Sequence, residues 1–227
     1  MARMTAQDIV TEVRLHLGGE TTETISDNQI LRWVNRTYVD LASAYEFHEL
    51  ETSASLTLPA GDSEPEIAGV TDILDIISIT NTTDKMLMYP WTRWQYDRAT
   101  QGNAASITGP PIYWFESGVE SGLTSITLYP TPAVATAVTV VYRKVPTELV
   151  LTPAADVTSS VLSEPWDEVL ILLAVSRGWR ALGDDDKSYK AKLSANDASK
   201  IAEKSSFTAS YVPMTPGSVV GRALRNG

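Results

Sequence analysis

The sequence predicts an α+β protein: a helical bundle of about four helices, interrupted by an inserted antiparallel β domain and followed by an extended C-terminal tail. Three observations carry this reading. Apolar residues recur at helical spacing before residue 49 and again after residue 164. Between about 50 and 146 the period drops to two, and Ile, Val and Thr are abundant, as strands require. Beyond residue 205 no period survives. The boundaries that follow are 1–49 for the N-terminal helices, 50–150 for the β insert, 151–205 for the C-terminal helices and 206–227 for the tail.

The first helix is expected from Thr5 to Leu17, with Ile9, Val13 and Leu17 on one face and Gly18–Gly19 as its stop. In the second, Ser26 and Gln29 have capping-box spacing. Ile30, Val34, Tyr38, Leu41 and Tyr45 form a stripe that runs to about Phe47. "TSASLTLPAGD" alternates and turns at Pro59–Gly61; "EIAGVTDILDIISITNTT" has strand composition; Thr92 to Thr100 reads as a short helix. "LYPTPAVATAVTVVYRKVP", residues 128–146, reads as a β-hairpin. One strand from Ser125 to Tyr129 is broken by Pro130 and Pro132, and a second carries Val138, Val140 and Tyr142. Pro165 among Glu164, Asp167 and Glu168 starts the next helix. The last is capped within Asp184–Asp186, with Tyr189, Leu193 and Ile201 marking one face to about Ser205.

Charge excludes some functions. The 18 basic residues do not offset 28 acidic ones, leaving −10. No basic cluster exceeds Arg143–Lys144, which disfavours gripping a phosphate backbone. An acidic surface can instead face DNA without adhering to it. There is no cysteine, hence no disulfide or thiolate chemistry. The start lacks a signal-peptide pattern, and "VLILLAV" at 169–175 falls short of the roughly 20 apolar residues of a membrane span. The reading is a soluble, non-secreted protein.

No catalytic, metal or cofactor site is expected. His16 and His48 lack partners at metal-binding spacing. "GDDDKSYK", 183–190, fails the calcium-loop pattern, because Tyr189 stands where Gly is needed and Ala195 where Glu is. It reads as a helix N-cap. Two aromatic groups, Trp91 with Trp94 and Tyr96, and Tyr113 with Trp114 and Phe115, read as β-domain core and interface rim, or as a stacking surface for sugars or bases. The tail sets Phe207, Tyr211, Val212, Met214, Val219, Val220 and Leu224 among small residues, with Arg222 and Arg225 as its only charges. Spaced apolar anchors suit a segment that lies against another chain; a floppy end is the alternative.

The order of these elements resembles the head–tail adaptor (connector) proteins of tailed bacteriophages, including the tail tubular protein A type. Four stretches carry the likeness: "ILRWVNRTYVDLA", "GPPIYWFESG" with "SITLYPTPAVATAVTVVYRKVPTEL", "LSEPWDEVLILLAVSRGWRALGDDDKSYKAKL", and the long tail. Each is loose, and their order gives the specificity over nearly the whole chain, with 60–110 the vaguest part. The resemblance implies a structural virion protein with no enzymatic activity. It implies a ring of about twelve copies beneath the portal protein, extending the DNA channel and offering a platform to the next tail or nozzle component. DNA would pass without sequence-specific binding. The protein would be made in the host cytoplasm and end in the virion neck. The tail residues Phe207, Tyr211, Val212, Pro213, Met214, Val219, Val220, Arg222, Leu224 and Arg225 would contact the portal. Trp91, Trp94, Tyr113, Trp114 and Phe115 would form a β-domain interface. The alternative from the residues alone is a carbohydrate-binding, tail-fibre-type module using the same aromatics.

Overall fold

A computed structural model describes residues 4–19, 25–67, 70–101, 107–120, 123–151, 160, 162 and 164–209. The chain divides into two compact units, one formed by 1–41 with 148–227 and the other by 42–147. The fold is α+β: among the described residues there are five α-helices, four in the helical unit and one in the β unit, and the strands build a curled six-stranded sheet larger than an insert.

In the helical unit, α1 (Ala6–His16) starts at a capping box: Asp8 N–H donates to Thr5 Oγ1 at 3.1 Å, and Thr5 N–H donates to the Asp8 carboxylate at 3.0 Å. Ile9, Val10, Val13 and Leu17 are buried, and Gly18 follows at φ +88°, a backbone conformation that costs a side-chain-free residue nothing. α2 (Asp27–Ala44) is capped by Ser26, whose Oγ accepts from Gln29 N–H at 3.3 Å, and it buries Ile30, Val34, Tyr38 and Leu41. Arg14 ties α1 to the start of α2 through Asp27 at 2.5 Å. The Asn35 amide exchanges two hydrogen bonds with the Leu149 backbone, at 2.9 and 3.0 Å, which fixes the chain where it re-enters this unit. α4 (Glu164–Ala181) buries Trp166, Val169, Leu170, Ala174 and Val175. Its Arg177 reaches Thr37 and Asp40 of α2.

The last helix, α5 (Asp185–Ala209), begins where expected. Asp184 caps it by accepting from Lys187 N–H at 2.9 Å, and that bond, with the Lys187 side chain, holds the Asp184 carboxyl below its usual pKa. The helix runs past Ser205 and takes in Phe207, which sequence alone placed in the tail. The face marked by Tyr189, Leu193 and Ile201 is the outer one. Ser188, Ala195, Ser199 and Ala202 face inward, while Tyr189, Leu193 and Ile201 are exposed. α5 packs on α4, and small side chains let the two backbones approach. Ser176 of α4 accordingly donates to the Ser188 carbonyl at 2.9 Å.

In the β unit, the strands β1 (Glu51–Leu58), β2 (Ile73–Asn81), β3 (Met86–Pro90), β4 (Thr108–Gly109), β5 (Tyr113–Glu120), β6 (Leu123–Tyr129), β7 (Thr131–Pro132) and β8 (Thr136–Lys144) are joined by one helix, α3 (Arg93–Thr100). The main sheet has the order β1-β8-β2-β3-β5-β6, and β4 pairs with β7. All ladders are antiparallel except β3–β5 and β4–β7. The expected hairpin across Pro130 and Pro132 is therefore corrected. β6 pairs with β5, and β8 lies between β1 and β2. Proline donates no N–H, so the chain leaves the sheet there and Thr131–Pro132 pairs with β4 instead. One face of the sheet carries Ile76, Ile79, Met88, Trp114, Ile126, Leu128, Val138, Val140 and Tyr142 in a single apolar cluster. The outer edge of β6 is covered by 63–67, through bonds such as Leu128 N–H to the Ser63 carbonyl at 2.8 Å.

Candidate functional site

Two surfaces stand out, one in each unit. The first is the outer side of α5. Tyr189 is 64% exposed, Leu193 46% and Ile201 69%. Side chains of this size are costly to leave in water, about 1.5–3 kcal/mol each relative to burial. The helix thus turns small residues inward and these apolar ones outward, with Tyr189 and Leu193 one turn apart and Ile201 two turns further on.

The second is the face of β3, β5 and β6 opposite the apolar cluster. Register places Tyr89 beside Tyr113 and Tyr113 beside Tyr129, so three strands contribute one row of tyrosines. Trp91, two residues beyond Tyr89, continues the same face because its N–H donates to the Trp114 carbonyl at 2.7 Å. Its ring stacks on Tyr113 at 3.9 Å and 14° and on Tyr129 at 5.4 Å and 22°. Such pairs contribute about 0.5–1.5 kcal/mol each beyond area burial.

Beside this row lies α3, whose capping box joins Thr92 and Gln95. It lays Tyr96 against Phe115 at 5.2 Å and edge-on to Tyr129 at 6.2 Å. Burial first, then the Glu64 and Asp97 carboxylates, push the Tyr96 phenol pKa up. Arg93 pairs with Asp97 and sits 5.9 Å from the Phe115 ring. Trp94, 65% exposed, is overlain by Arg98 at 5.3 Å.

Of the aromatics singled out in the sequence, the structure brings Trp91 and Tyr113 into one stack and places Phe115 under α3. Trp114 points to the opposite face and is buried in the apolar cluster, as pleat alternation demands. Trp94 stands on α3 outside the stack. Sequence reasoning missed Tyr89 and Tyr129. The signal for the first was there, since Leu87, Tyr89 and Trp91 alternate. The tail residues Tyr211, Val212, Pro213, Met214, Val219, Val220, Arg222, Leu224 and Arg225 lie outside the described residues.

Among the described residues, no group of three or more His, Asp or Glu side chains could hold a metal ion. His48 pairs with Glu51 at 2.6 Å. No helix among them is long and apolar enough to cross a membrane.

A helical unit and a β unit each present large apolar or aromatic side chains outward, as subunits of assemblies do. The chain matches the family model described as SU10 adaptor protein over residues 4–217. It belongs to that family, which is one of phage head–tail adaptors. The class is structural rather than enzymatic, and it associates with the phage portal and tail components. No curated protein matches the chain.

Proposed function

We propose that the protein forms a ring beneath the portal, carries the DNA channel onward and offers an attachment platform to the next tail component. The observation that carries this reading is the outward apolar side of α5, a surface ready for a neighbouring copy. A contact between two different faces of identical subunits generates a ring when the rotation closes. Family membership supplies the context. The net charge of −10 suits a channel through which DNA moves without sticking. The segment from Ser210 to Gly227 supplies the portal anchors, with Tyr211, Val212, Val219, Val220 and Leu224 as its apolar contacts.

The test is the mass of the purified protein by light scattering, alone and after addition of the portal ring of the same phage. The expected result is a complex carrying many copies. Deleting 210–227 should abolish that complex and leave the far-UV circular dichroism intact. If portal and protein stay separate at high concentration of both, the ring reading fails. Weight then moves to the aromatic face of the β unit and a glycan screen.

A further inference from the structure

We infer that the aromatic shelf Tyr89–Trp91–Tyr113–Tyr129 of one copy receives the Pro213–Met214–Thr215–Pro216 stretch in the C-terminal tail of a second copy. The inference rests on the tail being an anchoring segment, as proposed above, and adds a site for part of it.

The first argument is chemical. The shelf is a face of stacked and tilted rings, of which Tyr89 is exposed and Trp91, Tyr113 and Tyr129 are half-buried. Trp91 stacks on Tyr113, and Tyr89 is tilted by 45° at 6.3 Å from the same ring. Tyr89 is 55% exposed, and Leu87, two residues earlier on that face, is exposed too. Tyrosine and tryptophan combine a flat apolar body with a hydrogen-bond donor. That is the surface on which proline-rich strands in the polyproline II conformation dock, their pyrrolidine rings against aromatic faces and their carbonyls to the donors. A P-x-x-P spacing returns the two prolines to the same side of a helix with three residues per turn. This chain holds one such stretch, at 213–216.

The second argument is charge. The tail's only charges are Arg222 and Arg225, so the rest of the chain is more acidic than the whole chain's −10. At the edge of the shelf, Glu64, Arg93 and Asp97 all act on Tyr96, and Arg93 pairs with Asp97, so that edge is of mixed charge. The attraction is therefore one between a basic tail and the acidic remainder of the chain as a whole.

The third is length. At about 3.1 Å per residue an extended segment from Ser210 to Gly227 spans roughly 55 Å. Seating the prolines uses less than half of it. Val219, Val220 and Leu224 remain for the portal. Donor tail and acceptor shelf are different surfaces, so each copy gives one tail and receives one, as a closed ring requires.

The experiment needs no portal. A chain ending at Ala209 retains every described element, and the synthetic peptide 210–227 contains no tryptophan. Titrating peptide into that chain should give a saturable change in tryptophan fluorescence. Replacing both prolines in the peptide by alanine, or Tyr89→Ser in the protein, should weaken binding about tenfold or more. Absence of binding at millimolar peptide overturns the inference, and so does equal affinity for the alanine peptide or for the Tyr89→Ser protein. If the peptide binds the truncated chain but is excluded from a full-length chain that scatters as a monomer, the tail occupies its own copy's shelf, which overturns the second-copy source. Failure of the portal experiment alone would leave these affinities unchanged, so the two failures are distinguishable.

Discussion

Gly178 lies in the middle of α4, where glycine costs about 1 kcal/mol relative to alanine. Propensity alone therefore says that Gly178→Ala stabilises. The packing says otherwise. A Cβ built there falls 2.9 and 3.0 Å from the two Leu17 methyls and 3.1 Å from Trp33 Cζ3. Carbon atoms pack best at about 3.5–4.0 Å. Leu17 is buried at 1% exposure, so it has no room to swing away. Overpacking of this kind costs about 1–3 kcal/mol. Set against the propensity gain, Gly178→Ala should lose about 0–2 kcal/mol. Gly178→Val lacks most of the propensity gain and adds two methyls, so it should lose about 3 kcal/mol.

The decisive measurement is a double-mutant cycle with Leu17→Ala, read by urea unfolding followed by circular dichroism at the helix band. Leu17→Ala alone should cost about 2–5 kcal/mol through the cavity it leaves. In the double variant the new Cβ enters part of that cavity, so the combined loss should fall short of the sum by about 1–2 kcal/mol. If Gly178→Ala raises stability by the full propensity gain and the cycle shows no coupling, the close contact of α4 with Leu17 and Trp33 is refuted.

Three further predictions address other parts of the chain. Tyr189→Ser with Leu193→Ser should leave the stability of the free protein within about 0.5 kcal/mol but reduce assembly on the portal; a marked fall in melting temperature would make these side chains part of the fold instead. Thr5→Ala should cost about 1 kcal/mol by removing the α1 cap. Bonds from the Thr5 side chain and backbone lower the Asp8 pKa from 3.8, so their stabilisation is full above that value and lost as pH falls through the folded one. Urea melts at neutral and acid pH should thus show the difference between wild type and Thr5→Ala shrinking in acid. Ile79→Ala, at the centre of the β-unit cluster, should cost about 2–5 kcal/mol, measured by thermal melting; a neutral outcome would mean the cluster is not close-packed.

What was legible in the sequence was local. The capping box at Thr5, the Ser26 cap, the stripe of α2, the proline start of α4 and the Asp184 cap are each written within a few residues. They set helix ends through contacts within a few residues of each end. Strand existence was legible for the same reason, since alternation is a local signal. Strand pairing was not. Residues 125–129 and 138–142 alternate and are close in sequence, yet β8 inserts between β1 and β2, whose residues lie far back in the chain. Nothing in 128–146 specifies those partners. The tyrosine row suffers the same blindness. Each of Tyr89, Tyr113 and Tyr129 is visible alone, and only the β3–β5–β6 register makes them neighbours.

The outward stripe of α5 has a different cause, and it bears on function. Helical period finds an apolar stripe without saying what it meets, although in a monomer such stripes usually face the core. In α5 the stripe with Tyr189, Leu193 and Ile201 is real, but the inward contact is made by Ser188, Ala195, Ser199 and Ala202. Both facts fit together if the sequence encodes two contacts at once. Close packing on α4 demands small residues, and a second surface demands large ones. The same holds in the β unit, where Trp114 and Tyr113 are adjacent in sequence and serve opposite faces, one inside the apolar cluster and one in the aromatic stack. In an assembly protein the residues that look like misplaced core are therefore the place to look for partners. Here they mark one surface on each unit, which is what a subunit needs if it must hold its neighbours and still offer a second face to something else.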